Sequence, residues 1–320
     1  MLDRTRTQLY RPMNATTAEA EQAIVNTVAY VDAFDYPLTP AEIHRYLVHV
    51  PLADAELQSI LSRGGLVPER LSYRDGLYML PGREDVADVR RQRQQTAARL
   101  WPDAIHYGLL MARMPFVRMV AVTGSLAVNN VGAVEDVDYL VVTADDHLWV
   151  SRAFVLLIVR LAARRGVELC PNYFLTERAL RFREQNLYTA HEVAQMVPIY
   201  GLPVYEALRR VNTWTRRFLP NAVGAPVAPL VGTLREHTRH SPMREALEAA
   251  FATRLGRRLD RWEMARKVRK FRRVYQGWQE SDFSADRCKG HFNHHQQRTL
   301  EAYARRVAQR PEEASIGTGV

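Results

Sequence analysis

The chain has 320 residues, of which 47% are hydrophobic and 25% are charged, so it can build the ordinary cores of two or three globular domains. Its formal net charge of +9 favours an anionic partner such as a nucleotide or a nucleic acid. It has two cysteines, a polar and charged start, and no apolar run long enough to span a bilayer. These features predict a cytoplasmic protein and exclude a disulfide-stapled scaffold and a membrane-spanning chain.

The first predicted unit, residues 1–83, contains three helices and a β-hairpin. The spacing of apolar residues predicts a first helix over about 18–34. The stretch Thr39-Pro40-Ala41-Glu42 has the capping threonine, the first-position proline and the glutamate that are typical of a second helix start. A third helix is predicted over about 53–62, and Asp75-Gly76 indicates a hairpin turn.

This order of elements resembles a winged helix-turn-helix domain. In such a domain the third helix would contact a groove of DNA. Here that helix carries Asp54 and Glu56, with Arg63 only at its end, and acidic residues oppose contact with phosphates. A DNA-contact role and a protein-contact role therefore both stay open for this unit.

A long connector helix is predicted over about 84–113. Several arginines lie at its start or in its first half: Arg83, Arg90, Arg91, Arg93 and Arg99. They predict a solvated basic face, or contacts with a triphosphate or a phosphate backbone. This helix opens the second predicted domain, residues 84–221.

The chemistry of the chain centres on the stretch from Phe116 to Thr143. An apolar strand is followed by a turn at Gly124-Ser125, and a second strand begins with Asp136-Val137-Asp138. Because residues two apart on a strand point to the same face, Asp136 and Asp138 present paired carboxylates, which suit a divalent cation that carries phosphate oxygens. Gly124 allows a ligand to approach the backbone, and Ser125 is predicted to cap the helix that follows.

Gly-Ser, a gap of about a dozen residues and Asp-x-Asp between apolar runs together resemble the motif of the DNA polymerase β-like nucleotidyltransferase superfamily, over about 116–175. The resemblance implies an α+β domain with a mixed sheet flanked by helices. It implies that Asp136 and Asp138 are catalytic and bind Mg²⁺ or Mn²⁺. It also implies that Gly124 and Ser125 hold the phosphates of an NTP.

The superfamily places a third carboxylate on the next strand, predicted here over about 167–175. Glu168 fits the pattern of an acid between apolar residues, whereas Asn172 stands where the superfamily has an aspartate. A carboxylate can take a proton from an attacking hydroxyl, and an amide cannot. Glu168 is kept as a catalytic candidate and Asn172 as a nucleotide contact. Pro171 predicts an edge strand or a bulge at this place.

A helix that ends near Pro198 carries His191, Glu192 and Gln195 on one side. These polar residues could line a nucleotide pocket. An ordinary amphipathic helix would show the same spacing.

The third predicted domain, residues 222–320, is expected to be helical. Its central helix, about 254–275, is predicted to have a basic back and an apolar stripe of Leu255, Leu259, Trp262, Phe271 and Tyr275. This is the candidate patch for nucleic acid, with a solvated face or a triphosphate contact as alternatives.

The segment from Cys288 to His295 contains cysteine and histidines, but a zinc site usually takes four ligands at defined spacing from two elements. Lys289 and His291 are instead predicted to contact phosphate or to cap a helix.

Two functions are consistent with these patterns. The first is a metal-dependent nucleotidyltransferase that moves an NMP from an NTP to an unidentified hydroxyl acceptor and releases pyrophosphate. The second is a non-catalytic nucleotide-binding regulator whose winged unit contacts DNA or a protein.

Overall fold

The computed structural model describes residues 16–132, 136–226, 242–274, 282–290 and 295–308, and the chain is α+β. The helices are α1 (Thr17–Val31), α2 (Pro40–Arg45), α3 (Asp54–Ser62), α4 (Val86–Ala112), α5 (Gly124–Ala127), α6 (Leu148–Ala163), α7 (Leu187–Gln195), α8 (Leu202–Val211), α9 (Pro242–Phe251), α10 (Arg254–Val274) and α11 (His295–Ala308). The strands are β1 (Ser72–Arg74), β2 (Leu77–Met79), β3 (Val117–Val122), β4 (Val137–Thr143), β5 (Leu169–Thr176), β6 (Val197–Tyr200), β7 (Asp282–Phe283) and β8 (Arg287–Lys289).

The larger sheet is mixed and has the strand order β6-β3-β4-β5-β8-β7. β4 and β5 are parallel, and α6 connects them, whereas the other neighbouring pairs are antiparallel. The central strands β3 and β4 are almost completely buried, in keeping with their continuous apolar sequence. The parallel pair β4 and β5 lies in the middle of the sheet, and β4 begins within the Asp-x-Asp stretch.

The N-terminal helices and the hairpin form as the local sequence predicts. The side chains of Thr16 and Thr39 make complete capping boxes at the starts of α1 and α2. β1 and β2 pair around Asp75 and Gly76, which both have positive φ, as a two-residue hairpin loop requires. The apolar residues just before Leu71 form turns, and the first hairpin strand begins only at Ser72.

The predicted boundary at residue 83 does not separate two hydrophobic cores. One cluster joins buried residues of α1, such as Ile24 and Val28, to Met119 of β3 and Leu140 of β4. The hydroxyl of Tyr36 also donates to the backbone oxygen of Val128 at 2.8 Å. The N-terminal helices therefore share one hydrophobic cluster with a face of the larger sheet.

Of the predicted basic residues of α4, Arg91 and Arg99 are exposed, whereas Arg90 and Arg93 make contacts inside the protein. Arg90 is 4% exposed and donates to both carboxyl oxygens of Glu42. Arg93 donates to the backbone oxygen of Phe34 and to the side chain of Asn130. These arginines stabilise the contact between the N-terminal helices and the sheet.

The C-terminal region corrects two predictions. It is not entirely helical, because β7 and β8 extend the larger sheet beyond β5. In α10, Leu255, Leu259 and Trp262 are exposed, and the helix instead buries Asp260 and Glu263. Phe271 packs against the core as predicted, whereas Tyr275 and residues 227–231 of the predicted boundary lie outside the described residues.

The buried side chain of Asp260 joins α10 to the start of α6. Its carboxylate accepts a hydrogen bond from the backbone nitrogen of Val150 at 2.8 Å, in the first turn of α6. Burial raises the pKa of Asp260 to about 6, although the backbone donors of Val150 and Trp149 oppose the shift. This contact and the packing of Met264, Val268 and Phe271 against the core lie on the same face of α10.

No helix in the described ranges combines the length and the apolar character needed to cross a lipid bilayer.

Candidate functional site

The turn between β3 and α5 lies directly against the Asp-x-Asp stretch. Thr123 N donates to the backbone oxygen of Asp138 at 3.0 Å. Gly124 has a φ of +64°, and a Cβ at this position would overlap the carboxylate of Asp138. Only glycine adopts this φ and leaves room for the carboxylate without strain. The structure therefore requires glycine at position 124 as long as Asp138 keeps its place.

Ser125 does not cap the next helix as the sequence predicts. The N-cap of α5 is Thr123, whose side chain makes no capping hydrogen bond, and Ser125 lies inside the first turn. Ser125 still lines the same cavity as Gly124 and both aspartates. Its position is compatible with a ligand contact.

Asp136 and Asp138 face the same side of the chain, as the strand periodicity predicts. Both are partly buried and line the cavity, whereas Val137 between them is completely buried. Together with Cys170 they place three potential metal-ligating atoms within 4.8 Å of one another. Among the described residues this is the one such group of acidic, cysteine and histidine side chains.

Cys170 was missed by the sequence analysis. It pairs in register with Asp138 across the parallel strands β4 and β5, which brings its thiol to the carboxylates. Burial, followed by the negative charges of Asp138 and Asp136, raises the pKa of the Cys170 thiol far above its ordinary value. The thiol is therefore protonated in the metal-free chain.

Asn172, and not Glu168, lies opposite Asp138. Asn172 Nδ2 donates to Asp138 Oδ1 at 2.7 Å. The pairing of β4 with β5 shifts register between Asp138 and Leu140, which is the bulge that Pro171 predicts. Glu168 precedes β5, is exposed and does not line the cavity, so this geometry gives it no place beside Asp138.

The donor set fits a divalent cation in part. Two carboxylates supply the hard oxygen ligands that Mg²⁺ and Mn²⁺ prefer. The thiol of Cys170 and the amide of Asn172 stand where further hard oxygen donors would complete such a site. Asp136 and Asp138 are accordingly the residues that would hold the metal, and a third carboxylate is not part of the group.

A cavity of about 680 Å³ opens in front of the aspartates, which is a size typical of small-ligand sites. One wall is formed by the turn that follows β3 and by the first residues of β4 and β5. The opposite wall comes from α7 and from the N-terminal helices, including Tyr30, Phe34 and Tyr36. The contribution of the N-terminal helices was not predicted, because residues 1–83 were expected to form a separate domain.

The polar side of α7 lines this cavity through His191, Glu192 and Gln195. Of the two interpretations that the sequence left open, the placement of these residues favours a pocket wall. His191 is 2% exposed, and burial lowers its pKa to about 3, so the ring is neutral. Burial also raises the pKa of Glu192 to about 7, and the nearby charge of Lys289 lowers it in part.

Lys289 is buried on β8, and its ammonium group contacts the carboxylate of Glu184. It does not line the large cavity. The predicted phosphate contact therefore has no support from its position. Cys288 beside it is buried in the sheet, and His291 and His294 lie outside the described residues.

The basic face of α10 is exposed at Arg258, Arg261 and Lys270, among others. Arg266 lies 5.6 Å from the ring of Trp262 and is paired with Glu263. A nucleic-acid contact through this helix stays a prediction.

Comparisons of the chain with protein families, with curated proteins and with solved structures found no match.

Proposed function

We propose that the chain is a metal-dependent nucleotidyltransferase that moves an NMP from an NTP to a hydroxyl acceptor with release of pyrophosphate. The observation that supports this most is the contact of Gly124 with the Asp138 carboxylate at the edge of a ligand-sized cavity. Phosphates placed beside the Gly124-Ser125 turn would lie next to Asp136 and Asp138.

A divalent cation bound by Asp136 and Asp138 would supply charge stabilisation for the phosphates and for the leaving pyrophosphate. The chain itself contributes the position of the two carboxylates. Asn172 orients Asp138 by donating to Oδ1, and the Gly124 turn limits its movement on the other side.

A second function is favoured by the same asparagine. Asn172 stands beside Asp138 where the resemblance implies a third carboxylate, and an amide cannot take the proton from an acceptor hydroxyl. The alternative is a nucleotide-binding regulator that binds an NTP and does not turn it over. Both functions predict NTP binding, and they differ in transfer.

The test incubates the protein with Mg²⁺ or Mn²⁺ and each α-labelled NTP, in the presence of separate RNA, protein and small-molecule fractions. Transfer of label to a fraction together with pyrophosphate release supports the enzyme, provided that Asp136→Asn/Asp138→Asn abolishes both. Metal-dependent NTP binding without transfer supports the regulator. Failure to bind any NTP would contradict both proposals.

A further inference from the structure

The outer face of α10 carries large apolar side chains that the core does not use. Leu255 is 75% exposed, Trp262 is 56% exposed and Leu259 is 41% exposed. Because they follow one another at intervals of four and three positions, they project from the same side of the helix and form an apolar stripe. Exposed apolar residues are common when they stand alone, but a group of them on one helix face is a candidate contact surface.

The other side of α10 fixes the helix to the protein. Met264, Val268 and Phe271 pack against the core, and the Asp260 carboxylate accepts from the backbone nitrogen of Val150 at 2.8 Å. By helical geometry these residues point roughly opposite to the stripe. The stripe is therefore presented outwards without any need for α10 to leave the core.

The exposed face of α10 is also strongly basic. Its exposed cations lie along the whole helix: Arg254, Arg258, Arg261, Arg266, Arg269 and Lys270. Among the described residues, Arg266 is the one of these that pairs with a carboxylate, that of Glu263. Both acids of the helix, Asp260 and Glu263, are buried, so the exposed face carries no negative side chain of α10. The face thus combines an apolar stripe with positive charge.

This combination distinguishes between anionic partners. The phosphates of a nucleic acid would pair with the arginines, and a base can stack on Trp262, but the leucines would gain little from either contact. A lipid interface takes up leucine and tryptophan beneath its headgroups, while arginine side chains extend to the phosphates. The exposure of Leu255 and Leu259 therefore favours lipid over nucleic acid.

The positions of the cations also argue against an apolar groove on a partner protein. Arg266 and Arg269 follow the stripe on the same side of the helix. A groove that enclosed this side would have to bury their guanidinium groups, which costs free energy unless each is paired. At a bilayer surface the same groups stay solvated beside lipid phosphates.

We propose that α10 binds the surface of an anionic lipid bilayer, with Leu255, Leu259 and Trp262 beneath the headgroups and the exposed arginines on the lipid phosphates. The contact is peripheral and uses a helix that lies parallel to the membrane plane. It does not depend on the proposed function, because none of these side chains lines the cavity.

The test measures sedimentation of the full chain, without NTP, with vesicles of phosphatidylcholine alone and of phosphatidylcholine with about 30% phosphatidylglycerol. The anionic vesicles are expected to bind the chain at least about 10-fold more tightly, since the exposed cations are attracted to the charged headgroups. Equal binding to the two kinds of vesicle, or binding to neither, would overturn the proposal.

One variant removes the apolar part of the contact. Leu255→Ser/Leu259→Ser changes only exposed positions and is expected to weaken binding to the anionic vesicles about 10-fold, because apolar area is lost from the bound surface. Val211→Ser/Val223→Ser, at exposed positions outside α10, is the matched control and is expected to bind like the wild type. Vesicle binding that is unchanged in the leucine variant would overturn the proposal.

A second variant removes part of the charge. Arg258→Gln/Arg261→Gln is expected to weaken binding to the anionic vesicles about 10-fold or more and to leave binding to neutral vesicles unchanged. Arg63→Gln/Arg216→Gln removes the same charge at exposed positions on other elements and is the matched control. Equal losses in the two arginine variants would show that net charge, and not α10, attracts the chain, which would overturn the proposal.

A single-stranded RNA of mixed sequence separates lipid from nucleic acid. If the chain binds this RNA but no vesicle, and if RNA binding is lost in Arg258→Gln/Arg261→Gln and kept in Leu255→Ser/Leu259→Ser, α10 contacts nucleic acid and the lipid proposal is overturned. Loss of vesicle binding in the leucine variant, with its control unaffected, supports the proposal. Neither result bears on the site of Asp136 and Asp138.

Discussion

The two walls of the cavity differ in the charge of their polar side chains. On the sheet side, Asp136 and Asp138 bring two carboxylates and the Cys170 thiol together within 4.8 Å. On the α7 side, burial keeps His191 uncharged and favours the neutral form of Glu192 up to about pH 7. Charge is thus concentrated where a cation would compensate it, and the α7 wall carries polar groups whose neutral forms are favoured by burial.

We expect the largest effect from adding a single methyl group on the sheet side of the cavity. Gly124→Ala places a methyl group on the Asp138 carboxylate and is expected to reduce metal-dependent nucleotide transfer about 100-fold, since small displacements of positioning groups have effects of that size. For a chain that binds without transfer, the same loss is expected in metal-dependent NTP affinity.

Gly166→Ala is the control for this change. Gly166 has a φ of +76°, similar to that of Gly124, but a Cβ there meets no atom within 4 Å. It carries the same backbone strain of about 1–2 kcal/mol without touching Asp138. Equal losses of transfer in the two variants would show that strain, and not displacement of Asp138, is responsible.

Asn172→Asp tests whether the amide opposite Asp138 limits the chemistry. A third carboxylate adds a group that can take a proton, so transfer is expected to rise by about 10- to 100-fold. Without metal, three neighbouring carboxylates repel one another and the Tm is expected to fall, and Mn²⁺ is expected to restore it. A Tm that does not respond to Mn²⁺ would contradict a metal site here.

The α7 side makes a smaller, pH-dependent contribution to stability. The pKa of Glu192 is raised by burial from 4.5 to about 7, so the folded chain binds this proton more tightly than the unfolded chain does. The contribution of Glu192 to the free energy of unfolding is therefore fully present below about pH 4.5. It is lost as the pH rises to about 7, and the loss is about 1–3 kcal/mol.

Glu192→Gln is expected to remove this part of the slope, measured by urea unfolding at pH 5 and pH 8. Asp260 also titrates in this range, with a pKa of about 6, so the quantity compared is the difference from the wild type. Lys289 and Tyr30 are unchanged in the variant. An identical slope in the wild type and in Glu192→Gln would show that Glu192 is solvated. Glu206→Gln, at an exposed position on α8, is the control and should match the wild type.

The sheet side could be predicted from the sequence because its signals are local. Gly124, Asp136 and Asp138 lie within fifteen positions of one another, and the alternation of a strand is enough to place both carboxylates on one face. Cys170 could not be found this way. Its place depends on the parallel register of β4 with β5, which a single sequence does not encode locally.

The other wall and the C-terminal elements depend on tertiary contacts. Tyr30 and Phe34 reach the cavity because the N-terminal helices share a core with the sheet, and their own sequence predicts only a helical unit. β7 and β8 have two and three residues, too few to show alternation. In α10 the core-facing side carries Met264, Val268 and Phe271 together with Asp260, and the contact of Asp260 with α6 could not be predicted from the sequence.

The most direct test of the account is the affinity of the chain for Mn²⁺, measured by electron paramagnetic resonance with and without an NTP. The wild type is expected to bind Mn²⁺, and to bind it more tightly when the NTP is present. Asp138→Asn keeps the size of the side chain and is expected to weaken binding at least 10-fold, because a neutral amide is a poorer ligand. Equal Mn²⁺ affinity in the wild type and in Asp138→Asn would contradict the metal site on which the proposed function depends.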